Sequence, residues 1–296
     1  MAKRSLGAPP WAQWVLKRWP PSYFIQRSLY LRLKARLDAR NRKKMTERYL
    51  AYGEDAQSAF LRLARLFEPM RVKGLNKIRV GSSNDGGYVM LDDFRDVGGA
   101  ISMGVETNID WDLAIAARGL IVRQFDHTVD HALSADPLIQ FAPLKVSAID
   151  EPGSITMDQA IEDLGMQPNE AAICKIDIEG DEWPVFEAAE IERLARCSQI
   201  ICELHNFSAA ADPVWLERAL KVMTKLRSRF DVFHVHANNW DDFTTFANVP
   251  FPETLEVSLG NRARYQFEET DERFPIEIDR PNRPNFADLH LGAFRF

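Results

Sequence analysis

The chain has 296 residues, of which 46% are hydrophobic and 27% are charged, and its formal net charge is −6. This is an ordinary globular composition without low-complexity tracts. No stretch reaches the roughly 18–20 uncharged apolar residues that a membrane-spanning helix requires. The three cysteines form no CxxC pair, which favours a reducing, cytoplasmic environment.

The first 48 residues are rich in basic side chains and are called the arm below. They contain 13 Lys and Arg against two acidic residues, a net charge of +11, whereas the rest of the chain carries −17. Apolar residues recur at every fourth position of the arm, at Ile25, Leu29, Leu33 and Leu37. This spacing predicts an amphipathic helix with Arg and Lys on its other faces. We therefore expect two parts, a helical arm over residues 1–48 and a body over residues 49–296.

Three interpretations of the arm remain open. Its apolar stripe packs on the body or on a second copy of the chain, which would make a homo-oligomer. Alternatively, its tryptophans and arginines lie on an anionic membrane, which would make the protein peripheral to the inner face. Nucleic-acid binding is disfavoured by the acidic body and by the lack of a recognised motif. The expected partners are therefore a second copy, a partner protein or a membrane surface, without nucleic acid.

The body begins with a predicted helix over residues 54–67, followed by a turn-rich segment around residues 81–87 that is typical of a hairpin. Short apolar runs then predict strands over residues 100–103, 120–125, 144–149, 171–178, 199–204, 232–237 and 255–259. The intervening patterns predict helices over residues 110–119, 182–195 and 213–229, and a short one ending near Gly165. Strands alternating with helices indicate an α/β fold with a mostly parallel, seven-stranded sheet. The last two strands have no helix between them, so the final strand is expected to be antiparallel.

Polar residues follow almost every predicted strand. In an open α/β sheet, ligands bind outside the carboxyl ends of the strands, so these residues are expected to meet at one edge. The candidates are Gly104, Val105 and Glu106 after the first strand, Asp126 and His127 after the second, Asp177 and Glu179 at the end of the fourth, His205 after the fifth and His236 at the end of the sixth.

The pattern favours one cofactor over another. Gly104 allows a sharp turn close to a ligand, and Asp126 follows it at about the spacing of a ribose-binding acid. The loop has no GxGxxG motif, and Glu106 would repel a pyrophosphate. A cationic sulfonium without phosphates suits this acidic edge better than a nicotinamide dinucleotide does. We therefore expect S-adenosyl-L-methionine as the cofactor.

Several motifs occur in a characteristic order. They are Asp85-Gly86-Gly87-Tyr88-Val89, Ser102-Met103-Gly104-Val105, Phe125-Asp126-His127-Thr128 and Lys175-Ile176-Asp177-Ile178-Glu179-Gly180-Asp181-Glu182. Together with segments 236–239, 252–257 and 279–284, they resemble the FkbM-type methyltransferase family over about residues 80–284. The chain departs from that pattern by having a single glycine in the first loop and by His127, where other relatives carry proline.

The resemblance implies a Rossmann-like class I methyltransferase fold and O-methylation of a hydroxyl group, often on a saccharide. It also implies that Gly104 and Asp126 line the cofactor and that Asp177 lies near its methionine end. Val105, Glu106, His127 and Glu179 are expected beside them. The acceptor is expected to be a small molecule or a saccharide, near Tyr88, Trp183 and Trp240.

An attacking aliphatic hydroxyl must lose its proton, so a general base is expected. His205, His236 and Asp177 are the candidates, and we expect catalysis without a metal. In the alternative, a divalent cation is bound by Glu203, His205, His236 and Asn238. A second alternative is a non-catalytic or nucleotide-sugar-binding module of a polysaccharide biosynthesis assembly, because a fold alone does not fix a function.

Overall fold

A computed structural model describes residues 55–296, so every prediction for the arm over residues 1–48 lies outside the described residues. Six α-helices lie in the described range: α1 (Ala56–Arg65), α2 (Asp110–Ala116), α3 (Met157–Asp163), α4 (Glu182–Ala188), α5 (Ile191–Leu194) and α6 (Pro213–Arg227). A 3-10 helix spans Phe207–Ala211. None of these helices is long and apolar enough to cross a membrane.

The same range holds fifteen strands. They are β1 (Arg71–Val72), β2 (Lys77–Gly81), β3 (Gly87–Leu91), β4 (Val97–Met103), β5 (Ile121–Phe125), β6 (Ile139–Ala142), β7 (Lys145–Val146), β8 (Ser154–Ile155), β9 (Ala171–Ile176), β10 (Cys197–Leu204), β11 (Phe230–Ala237), β12 (Phe243–Phe246), β13 (Val249–Pro252), β14 (Leu255–Asn261) and β15 (Phe267–Glu268).

Seven strands form the central sheet, in the order β11-β14-β10-β9-β4-β5-β6. All of them run parallel except β14, which is antiparallel to both β10 and β11. The predicted α/β fold with a mostly parallel, seven-stranded sheet is confirmed. From β4 the chain builds the sheet outwards through β5 and β6, and it then returns to the other side of β4 to begin β9. The β4–β9 junction is therefore a topological switch point.

The centre of this sheet is covered on both faces. Every residue of β9, β10, β11 and β14 is buried, as expected of strands that pack on two layers. Helix α6 begins with Asp212 as its N-cap, whose side chain accepts from the Val214 N–H, and with Pro213 in its first turn. Its buried residues recur at helical spacing, at Leu216, Ala219, Val222, Met223 and Leu226.

The predicted position of the third strand is wrong. Residues 139–142, not residues 144–149, form β6 and pair with β5, with Val122 opposite Ile139. Pro143 follows directly, and because proline has no backbone N–H it ends the ladder. Within the predicted segment, Lys145 and Val146 pair with β8 in a separate two-stranded sheet.

The predicted helix over residues 182–195 is broken in two. Ala189 and Glu190 are extended, with ψ of 139° and 128°. The carboxylate of Asp158, on α3, accepts the Glu190 N–H at 3.1 Å. This long-range hydrogen bond replaces one that a continuous helix would make, and a local pattern cannot reveal it. The predicted hairpin around residues 81–87 is confirmed, because β2 and β3 pair antiparallel.

Candidate active site

A cavity of about 520 Å³ opens at the carboxyl edge of the central sheet, beside the switch point. This volume is within the usual range for a small-molecule site. Met103 pairs with both Phe125 and Ile176, so the ends of β4, β5 and β9 lie level. Eight Asp and Glu residues line the cavity against two Lys residues, namely Asp85, Glu106, Asp126, Asp177, Glu179, Asp181, Glu203 and Asp241 against Lys145 and Lys175. The site therefore favours cationic ligands.

A turn at Gly104, directly after β4, forms part of the cavity wall. Gly104 has a φ of +73°, and a Cβ at this position would lie 1.6 Å from the carbonyl oxygen of Asp177. Only glycine fits so close to the neighbouring strand. Lys175 donates a hydrogen bond from its ammonium group to the Gly104 carbonyl. Contacts with residues at the end of β9 therefore hold this turn in place.

Asp126 joins the ends of β4 and β5. Its Oδ2 accepts the backbone N–H of Val105 at 2.8 Å and that of Glu106 at 2.9 Å. Its Oδ1 accepts the N–H of Thr128 at 2.7 Å and the hydroxyl at 2.6 Å. Burial alone would raise the pKa of Asp126, but the hydrogen bonds from Thr128, Glu106 and Val105 outweigh it and lower that pKa. Asp126 is therefore an ionised acceptor whose four lone-pair sites are all occupied, one of them by the Thr128 hydroxyl, which can rotate away for a ligand.

Asp177 lies across the cavity from Asp126. The Tyr88 hydroxyl donates to Asp177 Oδ2 at 3.0 Å, and the Lys175 ammonium lies 3.9 Å from the same oxygen. Burial raises the pKa of Asp177, against the opposing charges of Lys175 and His205. Burial also raises the pKa of Tyr88 well above its ordinary value, so its hydroxyl stays a donor. One oxygen of Asp177 is thereby fixed in orientation.

His205 is surrounded by carboxylates. Its Nδ1 lies 3.2 Å from Glu182 Oε1, and its Nε2 lies 3.4 Å from Glu203 Oε1 and 3.8 Å from Glu179 Oε2. Burial would lower the pKa of His205, but the hydrogen bonds to Glu182 and Glu203 raise it to about 11. Burial and the charge of Asp177 raise the pKa of Glu203. In this arrangement His205 carries a proton at neutral pH, which does not suit a general base.

Three loops at this edge contain non-glycine residues in the left-handed region. Glu106, Glu179 and Asn206 have φ of 41°, 58° and 69°. They follow β4, β9 and β10, the strands whose ends border the cavity. Such conformations cost of order 1–3 kcal/mol each and concentrate at functional sites. Their position supports a functional cavity at this edge.

The cavity brings together most of the predicted site residues. Those that line it are Gly104, Val105, Glu106, Asp126, His127, Asp177, Glu179 and His205. The predicted base His236 does not line it. Its Nδ1 lies 3.1 Å from Glu256, and its Nε2 lies 3.1 Å from Asp288. Burial would lower the pKa of His236, but these carboxylates raise it to about 10. His236 is a buried structural cation.

Trp183, expected near the acceptor, is also absent from the cavity lining. Its ring is 1% exposed and packs edge-on against Phe207 and Trp215. Its indole N–H donates to the His205 carbonyl at 2.8 Å. Trp183 therefore helps to hold in place the backbone that directly follows β10. Tyr88 and Trp240 do line the cavity, as expected.

Several lining residues were not among the predicted site residues. Glu203, which the sequence indicated only as a ligand in the alternative metal site, lies at the end of β10 just as Asp177 follows β9, and this equivalent position marks it as a site residue. Asp85 begins the first of the motifs that carry the family resemblance but was interpreted only as part of a hairpin turn, and Asp241 comes from a loop without such a motif. Trp240 Nε1 donates to Asp85 Oδ2 at 3.0 Å, which joins two loops 155 residues apart. Only the fold brings these residues to the cavity.

Comparison with known proteins adds no assignment: no protein-family model matches the chain, and no curated protein matches it significantly.

Proposed function

We propose that the protein is an S-adenosylmethionine-dependent O-methyltransferase of the FkbM type, acting on a hydroxyl of a saccharide or glycoconjugate precursor. The observation that carries this proposal is the pairing of Asp126 with the loop after β4. The N–H groups of Val105 and Glu106, which would face a pyrophosphate in a dinucleotide site, donate to Asp126 instead. The Glu106 side chain lies in the same cavity. This arrangement supports a nucleoside without phosphates as the ligand of the loop.

The sheet order supports the same proposal. A dinucleotide-binding sheet has the order 3-2-1-4-5-6. Here the corresponding series is interrupted by β14, which runs antiparallel between β10 and β11. Five βα-type steps followed by an antiparallel last strand is the architecture of class I methyltransferases.

The residues present fit the cofactor. Gly104 lines the cavity, and Asp126 would accept from a ribose hydroxyl that takes the place of the Thr128 hydroxyl. Phe125 and Val146 line the cavity and would offer apolar contacts to the adenine ring. The excess of carboxylates would hold the positive charge of the methionine end. S-adenosylmethionine supplies a methyl group on a sulfonium, and the transfer forms an oxygen–carbon bond as the carbon–sulfur bond breaks.

The chain's own residues would prepare the acceptor. Asp177 is the proposed acceptor of the hydroxyl proton, since its carboxylate lies in the cavity and Tyr88 fixes its orientation. Trp240 is 56% exposed at the cavity and offers a ring face to a sugar. Asp85 and Asp241 would accept hydrogen bonds from the other sugar hydroxyls. Holding the reacting groups at near-attack distance supplies much of the rate.

The proposal is tested by incubating the full chain with tritium-labelled S-adenosylmethionine and a panel of saccharides. We expect label in an extracted saccharide with the wild type and none with Asp177→Asn. Asp92→Asn, which changes an exposed aspartate outside the cavity lining, is the matched control and should retain transfer. Label recovered equally with Asp177→Asn would contradict the role of that carboxylate. Transfer to no saccharide by a protein that binds the cofactor would contradict the acceptor class.

A further inference from the structure

Three side chains of the cavity bring ligand-type atoms together. Asp177, Glu203 and His205 each offer one atom, and these atoms lie within 4.8 Å of one another. Ligands at about 2.0–2.2 Å from a common ion stand about 3–4 Å apart, so small side-chain rotations suffice for coordination. The ends of β9 and β10 supply all three, and these strands are neighbours in parallel register. The cluster therefore rests on rigid elements.

The imidazole of His205 is held from behind by a carboxylate. Glu182 is fully buried, and its carboxylate accepts the N–H groups of Ile178 and Gly180 as well as facing His205 Nδ1 at 3.2 Å. A proton on Nδ1 would point to Glu182, and a cation bound at Nε2, which faces Glu203, would displace the second proton that His205 carries without an ion. Histidines that bind metals usually donate their other ring N–H to a carboxylate or carbonyl in this way. Glu182 thus prepares His205 Nε2 as a ligand atom.

One carboxylate oxygen of Glu203 is buried beside the cavity and has no hydrogen-bond partner in the described part of the chain. Asn238 Nδ2 donates to Glu203 Oε1 at 2.7 Å, but Glu203 Oε2 finds no hydrogen-bond partner among residues 55–296. The residue is only 4% exposed. A buried carboxylate oxygen without a partner is costly, and this one belongs to a residue that lines the cavity beside two other ligand-type groups. This oxygen is the observation that points to a bound ion.

The local charge points the same way. Four carboxylates, those of Asp177, Glu179, Glu182 and Glu203, surround His205, and the nearest ammonium group, that of Lys175, is 3.9 Å from Asp177. Outer partners orient each candidate ligand: Tyr88 for Asp177, Asn238 for Glu203 and Glu182 for His205. A dication would be attracted by this excess of negative charge and would meet ligands that are already oriented.

From this geometry we propose that Asp177, Glu203 and His205 bind a divalent cation of the Mn²⁺ type. Magnesium and calcium prefer all-oxygen sites, whereas one imidazole with two carboxylates suits a first-row transition ion. This differs from the metal-free expectation drawn from the sequence. The ion's role rests on the proposed function: it would hold the acceptor oxygen and lower the pKa of its O–H group, while the Asp177 oxygen that does not bind the ion would accept the proton. Its binding does not rest on that function.

The test is a Mn²⁺ titration of chelator-treated full-length protein, followed by electron paramagnetic resonance of the free ion. The wild type should bind one ion saturably. Glu203→Gln and His205→Gln should each weaken binding by roughly tenfold or more. Asp181→Asn removes a charge from the half-exposed rim of the same cavity and is the matched control, expected to bind nearly as the wild type does.

Two results would overturn the inference. One is wild-type protein without saturable Mn²⁺ binding. The other is an equal loss in Glu203→Gln and Asp181→Asn, which would show attraction by the acidic cavity as a whole. Thermal unfolding of each variant in chelator identifies one that has failed to fold, and the second ligand variant then decides. Titration with S-adenosylhomocysteine in chelator separates the two proposals, because either ligand can bind without the other.

Discussion

The carboxylate of Asp126, at the end of β5, accepts the backbone N–H of Val105, at the end of β4, at 2.8 Å. A second bond from the next N–H, that of Glu106, reaches the same oxygen. One side chain thus closes the loop that would otherwise hold a phosphate, and it lines the cavity, where a ribose hydroxyl could replace the Thr128 hydroxyl.

This pairing predicts a pH-dependent contribution to stability. The pKa of Asp126 is lowered in the folded protein, so its stabilisation is complete above the unfolded value of about 3.9 and is lost as the pH falls through the folded value. Asp126→Asn should lower the free energy of unfolding by about 2 kcal/mol at pH 7. Urea denaturation should show the same difference at pH 5 and a smaller one below pH 4. A difference that persists undiminished in acid would contradict the charged pairing.

Gly104 and Gly119 offer a matched pair of substitutions. Both have positive φ, +73° and +81°, but only at Gly104 would a Cβ collide, with the Asp177 carbonyl; at Gly119 nothing lies within 4 Å. Gly119→Ala should lower the free energy of unfolding by about 1–2 kcal/mol, from backbone strain alone. Gly104→Ala should cost at least about 2 kcal/mol more, since two strand ends must move. If chemical denaturation showed the same loss of unfolding free energy for both variants, the β4–β9 junction would be able to rearrange at little energetic cost.

His205 and His236 should behave differently. His205→Gln should reduce methyl transfer by roughly 100-fold with little change in adenosyl affinity, because it removes a ligand of the proposed cation. His236→Gln should instead lower the free energy of unfolding by about 3 kcal/mol, because it leaves Glu256 and Asp288 without their cation. Steady-state kinetics and denaturation of both variants distinguish these effects. Loss of transfer in a stable His236→Gln protein would contradict the structural role.

Substitutions of Trp240 and Phe286 test whether the Trp240 ring contacts the saccharide. Arg283 stacks between them, with its guanidinium 5.1 Å from the Trp240 ring and 3.6 Å from the Phe286 ring. Only Trp240 lines the cavity. Trp240→Ala should raise the KM for a saccharide by roughly tenfold, about 1.4 kcal/mol, without changing cofactor affinity. Phe286→Ala also releases Arg283 and should leave the KM close to wild type. An equal rise of the KM in both variants would assign the effect to the displaced Arg283 and not to the Trp240 ring.

The sequence predicted the elements better than their long-range contacts. Apolar runs and helical spacing located six of the seven sheet strands, and the residues after them included Asp126, Asp177 and His205. The third strand was misplaced because residues 139–142 and 144–149 are both apolar, and their pairing depends on β5. His236 looked equivalent to His205 because both end a strand. It differs because Asp288, 52 residues further along the chain, covers it.

The central claim concerns the cofactor, and calorimetric titration of the full-length protein tests it most directly. The ligands are S-adenosylmethionine and S-adenosylhomocysteine, with NADH as the control and Asp126→Ala as the variant, whose folding is checked by thermal unfolding. We predict saturable binding of both adenosyl ligands by the wild type, none of NADH, and loss of adenosyl binding in folded Asp126→Ala. A well-folded wild type that binds neither adenosyl ligand, or that binds NADH instead, would contradict the account.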